Sequence, residues 1–172
     1  MAQTLGQIFI THSVEKLRQL TDRILTCLAR LNEDQIWTRG GDHENAIGNL
    51  ILHLCGNLRQ WIGSGVGNLE NIRVRDLEFS ARGGTSNEEL RAKLEGTVDL
   101  AIGIIAGLDE QALLRITTVQ GYTIPVMQAV AHVVEHFAQH TGQIILLTKH
   151  ATGEDLGFYR HLSQTAHSEK TP

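Results

Sequence analysis

Proline is nearly missing from this chain. Of 172 residues only Pro125 and Pro172 are proline, so helices are free to run long over most of the length. Cysteine is as scarce, and Cys27 and Cys55 make no disulfide framework. No apolar stretch reaches the ~20 residues of a membrane span. The opening MAQTLGQIFITH lacks the basic start and long apolar run of a secretory signal. Clusters of Lys and Arg are also lacking, and the net charge is -4 with a pI near 6.1. That balance argues against a nucleic-acid partner, because phosphate binding takes concentrated positive charge. The expectation is a cytoplasmic protein with no membrane and no nucleic-acid partner.

What remains is ordinary for a globular chain: 41% apolar and 20% charged residues. The length suits one domain, read here as residues 1–157, followed by a polar tail over 158–172 ending HSEKTP. Four segments carry helical periodicity. The first runs from about Leu5 to Leu31, with Val14, Leu17, Leu20, Ile24, Leu28 and Leu31 in one apolar stripe. The second runs from about Asn45 to Ile62 and is broken by the glycines of GSGVGN. The third starts at Ser86, where SNEE forms a capping box, and continues to about Leu108. The fourth begins near Pro125 and stops before Gly153.

Two connections are more than turns. Residues 63–85 form a long loop containing RVRDLEFSARGG, so the second and third helices are not expected to be a tight antiparallel pair. Between the third and fourth helices, LLRITTVQGYTI places β-branched residues on both sides of Gln120-Gly121, which suggests a short hairpin. The fold class that follows is all-α: a four-helix bundle with a long crossover loop between helices two and three.

Histidine is the residue in excess, at nine. Three of them, in HVVEHFAQH, are His132, His136 and His140. At four-residue steps they sweep an arc of about 80° on one helix face. Two imidazoles at that spacing can bite one metal ion, although the Glu of the HExxH zinc motif is missing: Val133 follows His132 and Phe137 follows His136. An exposed polar face is the plainer reading of such a stripe. The apolar neighbours Val133, Val134, Phe137, Ile144 and Ile145 bury the stripe at least in part, and buried imidazoles need partners. In the second helix Asn49, His53 and Asn57 form a polar seam through NLILHLCGN. His53 alone reads as a core histidine. Beside the stripe it becomes a third ligand candidate, and Asn49 and Asn57 become candidates to orient it or line a pocket. Three imidazoles leave an open position, the pattern of catalytic rather than structural metal sites. The loop charges Arg73, Arg75, Asp76 and Glu78 read first as solvated local ion pairs, the alternative being that they close over the site or bind an anionic substrate, and Trp37 and Trp61 read as core or dimer-contact residues.

AIGNLILHLCGNLRQWI and HVVEHFAQHTGQI resemble the corresponding blocks of the DinB / YfiT-like family of helical-bundle proteins, whose pattern is similar to HxxxHxxxHRGQ. Thr141 stands where Arg is frequent. RDLEFSARGG followed by SNEELRAKLE further resembles an uncharacterised branch of that family. The resemblance spans about residues 5 to 150. It implies a four-helix bundle, commonly a homodimer, with a metal held by His53, His136 and His140. His132 is then a neighbour of the ligands or a ligand in a shifted register. It also implies, for some members, chemistry on low-molecular-weight thiols such as bacillithiol or mycothiol.

The function expected is a divalent-metal-binding bundle, zinc or nickel being the expected ion. The three-histidine site would activate a thiol or water against a small-molecule substrate, in an S-transferase, isomerase or hydrolase reaction. The alternatives are a non-catalytic metal-binding stress or sensor protein, and an interaction protein whose histidines bind nothing. No catalytic base stands out: Glu135 and Gln139 lie about 100° from the histidine line.

Overall fold

The computed structural model describes residues 3–163. Helix α1 (Leu5–Leu28) opens on a capping box between Thr4 and Gln7. It ends at Leu28, just short of the expected Leu31, and Asn32 then caps a short unexpected helix, α2 (Glu33–Trp37). Helix α3 (Ile47–Leu58) passes directly into a π-helical turn, Arg59–Ser64. The crossover then carries α4 (Arg75–Ser80) and ends at Ser86, which caps α5 (Asn87–Ala106) with Glu89 as its box partner. The short α6 (Glu110–Leu114) leads into a hairpin of β1 (Ile116–Val119) and β2 (Tyr122–Pro125). The hairpin pairs Val119 with Tyr122 and turns on Gln120 (φ 51) and Gly121 (φ 81), the two positive φ values that a tight hairpin turn requires. Helix α7 (Val126–Thr152) closes on Gly153 in the left-handed conformation.

Four long helices, α1, α3, α5 and α7, form the bundle. Helix α1 packs on α7 and α5, and α3 packs on the same two, so α1 and α3 are diagonal. Directions follow from contacts at the ends. Asn87 at the start of α5 donates to the Leu28 carbonyl at the end of α1 (2.9 Å), so these two are antiparallel. Trp37 lies against Gly48 at the start of α3 and donates to the Thr85 carbonyl just before α5 (3.1 Å). Gly63 and Gly67, past the other end of α3, lie against Leu100 and Ile104 of α5. Helices α3 and α5 therefore run parallel, and residues 65–86 must return the length of the bundle to join them. This is the expected crossover, between neighbours that cannot be an antiparallel pair.

The core is aliphatic, with Leu17, Ile24, Ile51, Leu54, Leu94, Ile105 and Phe137 fully buried. Each such side chain contributes about 1.5–3 kcal/mol by leaving water. Gly48 is needed where it stands, because a Cβ there would come within 2.7 Å of the Trp37 ring. Cys27 and Cys55 are buried and free. Burial pushes the Cys55 thiol up to about 12, which makes it a core residue and not a nucleophile. Among the described residues no helix is long and apolar enough to cross a membrane. The tail read from residue 158 starts with structure: Phe158 packs against the core, Arg23 lies over the Phe158 and Tyr159 rings, and a 3₁₀ turn spans Arg160–Ser163. Residues 164–172 of that tail lie outside the described residues.

Candidate metal centre

Gln35, ahead of α3, donates to the Ala151 carbonyl at the end of α7 (3.0 Å), so α3 and α7 run antiparallel, and His53 in the polar seam of one meets the histidine stripe of the other. His53 sits in the middle of α3, 6% exposed in an otherwise apolar stretch. From α7 come His136 and His140. The Nε2 atoms of His53 and His136 are 3.1 Å apart, and those of His136 and His140 are 3.2 Å apart. Potential ligand atoms of all three lie within 4.8 Å of one another.

Hydrogen-bond partners favour one tautomer for each of two rings. The Nδ1 of His53 is 2.9 Å from Oε2 of Glu78. Nη2 of Arg73 is also 3.1 Å from this Nδ1, but it donates to the same Oε2 at 2.8 Å; with the shorter 2.9 Å contact made to an acceptor-only carboxylate, the proton on Nδ1 leaves Nε2 of His53 as a bare lone pair. His140 is placed in the same way by Gln143, whose Oε1 lies 2.6 Å from Nδ1. Two lone pairs thus point at the Nε2 of His136, which carries at most one proton and can satisfy only one of them. The Nδ1 of His136 is itself buried without a partner among the described residues. A cation resolves this convergence for all three rings at once. Bonds of about 2.0–2.1 Å at tetrahedral angles would set donor nitrogens roughly 3.3–3.4 Å apart, close to the two short spacings observed. The residues present therefore fit a divalent ion.

The imidazoles are held ready for it. Burial, with added repulsion from His140, His53, His132 and Arg73, pushes His136 down to about 3. His140 is lowered as well, chiefly by burial. At neutral pH both are uncharged donors, so no proton has to leave before a metal arrives. The sign for folding follows. Between about 3 and 6.5 the unfolded chain holds a proton on His136 that the folded chain refuses. The contribution to stability is complete above about pH 6.5 and is lost progressively as pH falls toward 3. The metal-free protein is expected to melt at a lower temperature at pH 5 than at pH 7.5. His136→Ala should lose part of that difference. Calorimetry at both pH values measures it, and an unchanged difference in the variant would put the acid sensitivity elsewhere.

The crossover supplies what the helices do not. Glu78, on α4, is 8% exposed. It takes two hydrogen bonds from Arg73, Nε to Oε1 at 2.7 Å and Nη2 to Oε2 at 2.8 Å. Burial alone would raise its carboxyl, but Arg73 and His53 together outweigh burial and hold it below the usual carboxylate range. Gly56 makes the room: a methyl group at that position would overlap the Glu78 carboxylate. Arg73 also donates to Gln60 in the π-helical turn (2.9 Å), and Gln60 accepts in addition from Gln120 at the hairpin tip. Phe79 lies beside His53 with ring centroids 4.7 Å apart, and the Arg75 guanidinium covers the far part of that ring.

These placements revise the sequence reading of the loop. Arg75 and Asp76 are exposed, but Arg73 and Glu78 are not solvated; their side chains are 3% and 9% exposed. The signal for them was weak, since a buried pair five residues apart in an aperiodic loop looks like any local ion pair. Among the described residues Asn49 makes no hydrogen bond to His53. Its Nδ2 donates to the carbonyls of Glu78 (2.8 Å) and Ala81 (3.0 Å), so it fixes the backbone that carries Glu78. Asn57 is buried and has no hydrogen bond to the histidines. His132 stands outside the group of three, stacked on Trp61 with centroids 4.1 Å apart. Thr141 turns its hydroxyl back to the Phe137 carbonyl (2.8 Å), and the guanidinium near the site is Arg73. Glu135 and Gln139 are exposed as expected.

Comparison with known proteins follows the same lines. The fold is shared with the crystal structure of a conserved protein of a locus from Enterococcus faecalis. The TM-score is 0.71 at 15% identity, over 89% of this chain and 100% of that one. No curated protein matches the sequence. Residues 4–164 match DUF1572, described as a protein of unknown function. With nearly its whole length inside that match, the chain belongs to the DUF1572 family.

Proposed function

We infer that the protein binds one divalent metal ion, zinc or nickel, through His53, His136 and His140, and uses it on a small-molecule substrate in the manner of the DinB / YfiT-like proteins it resembles. The observation that carries this reading is the convergence of two Nε2 lone pairs on the Nε2 of His136, a set of donors that one proton cannot satisfy. A divalent ion held there supplies Lewis acidity, lowering the pKa of a thiol or water brought against it. The chain's own residues do the positioning. Glu78 fixes the ring of His53, and Gln143 fixes His140. Phe79 lies against His53, and Trp61 holds His132 beside His136. The reaction class this suits is transfer to or from a low-molecular-weight thiol, or hydrolysis, in a homodimeric protein.

One observation favours a second reading, metal binding without turnover. The carboxylate nearest the histidines, Glu78, is committed to Arg73 and His53 and is not free to take a proton from a substrate. Metal content by mass spectrometry on tag-free protein, beside His53→Ala, comes first. About one ion per chain, lost in the variant, is the expected result. No metal in either after incubation with zinc or nickel would remove both readings. A loaded protein that turns over no thiol with any electrophile would leave the second.

A further inference from the structure

Under the crossover, between α3 and α5, lies a pocket of about 290 Å³ to which α7 contributes no residue. Its walls are mostly apolar, with Leu52 on α3 and Ile72, Val74 and Leu77 on the crossover. Its charges do not balance. Arg73 and Glu78 form one part of the lining and neutralise each other. Arg59 and Lys93 remain, and neither has an ion-pair partner among the described residues. The Nε of Arg59 is buried with no hydrogen-bond acceptor, an arrangement that is unfavourable for a charged donor. The crossover side chains at the mouth are left open to water: Ile72, Val74 and Leu77 are 60%, 57% and 65% exposed. A cavity with an apolar body, two uncompensated cations and an unmet guanidinium donor lacks one kind of molecule. Cys55 lines it as a neutral thiol and offers no covalent chemistry.

We propose that this pocket binds a small amphipathic anion, a carboxylate on a short apolar chain, with the carboxylate on Arg59 and Lys93 and the chain against Leu52, Ile72, Val74 and Leu77. The volume holds about ten water-sized atoms, which is the size of octanoate and near the lower end of small-molecule sites. Carboxylate fits the donors because a guanidinium and an ammonium both donate and neither accepts. The pocket contains no histidine, although Arg73 and Glu78 in its lining also touch His53, and the proposal does not rest on the histidines holding a metal.

The experiment titrates octanoate into the metal-free full chain, followed by calorimetry and by backbone amide NMR shifts. Octan-1-ol is the neutral control, and the variants are Arg59→Met and Lys93→Met. Expected is saturable binding of one octanoate per chain, with shifts confined to residues 52–59, 72–78 and 93–97. Octan-1-ol should bind at least tenfold more weakly, and each variant should lose at least threefold in affinity for octanoate. Lys93 is exposed, so its variant carries the test if Arg59→Met fails to fold. Equal affinity for octanol and octanoate, shifts scattered over other surfaces, or undiminished binding in Lys93→Met would overturn the proposal. Metal content on the same preparations reports separately on the histidine site.

Discussion

His136→Ala is expected to weaken metal binding by more than about a hundredfold while the bundle stays folded. Loss of a residue that only orients a ligand costs roughly 10–100-fold, and His136 is the nitrogen that both other histidines approach, at 3.1 and 3.2 Å. Without it the chain offers two imidazoles on opposite helices, no closer to one another than the bundle holds them. The metal-free variant should be close to wild type in stability. His136 brings a buried nitrogen with no partner, and its removal deletes an unmet group along with some packing. Linkage gives the readout. A ligand at a hundred times its dissociation constant stabilises by about 2.7 kcal/mol, which for a chain of this size raises the melting temperature by roughly 5–11 °C. Wild type should show that rise on adding zinc or nickel, and His136→Ala should not. A full rise in the variant would mean the ion sits elsewhere.

Glu78→Ala is expected to be the most damaging single change outside the core, by about 3–5 kcal/mol. It strips Arg73 of both charge-assisted bonds while leaving the guanidinium buried, and an uncompensated buried charge costs about that much. It also frees the His53 ring to turn, so metal affinity should fall roughly 10–100-fold. Glu78→Gln, which keeps an oxygen for His53 but no charge, should recover part of both losses. Gly56→Ala reaches the same point from the other side, since its methyl group would displace the carboxylate without removing either charge. It should reproduce the loss of metal affinity with a smaller cost in stability, about 1–3 kcal/mol. The wild-type contribution of Glu78 is present above the ordinary carboxylate pKa and disappears as pH falls through its lowered folded value. Urea unfolding of the metal-free proteins and competition against a zinc indicator measure the two effects. Wild-type affinity in Gly56→Ala would show that Glu78 does not act on the site.

The bundle was legible because its helices declare themselves locally. The stripe from Val14 to Leu28, the Ser86 box and the stop at Gly153 each depend on neighbours within a few residues. The hairpin was legible for the same reason, through Gln120-Gly121. His53 could be found because a polar side chain interrupts an apolar run. The choice within His132, His136 and His140 could not be made from spacing, since all three lie in one arc. The register of α3 against α7 decides it, and Trp61 takes His132 out of the group. Arg73 and Glu78 were harder still. Their partner is His53, 20 and 25 residues earlier, and what brings them together is the space left by Gly56 and the grip of Asn49 on the Glu78 carbonyl. Neither leaves a periodic trace.

The crossover also sets a timetable. His53 and His136 are 83 residues apart, so at ordinary synthesis rates the second reaches the growing chain about 4–17 s after the first. Glu78 is made in that interval and can meet His53 before any histidine of α7 exists. The orientation of the first ring is thus available early, whereas the donor set closes only with the last helix. On the function proposed above, an ion that requires all three imidazoles would be captured only by a nearly finished chain, and a ribosome that stalls before α7 would release a product with Glu78 against His53 and two of the three imidazoles not yet made.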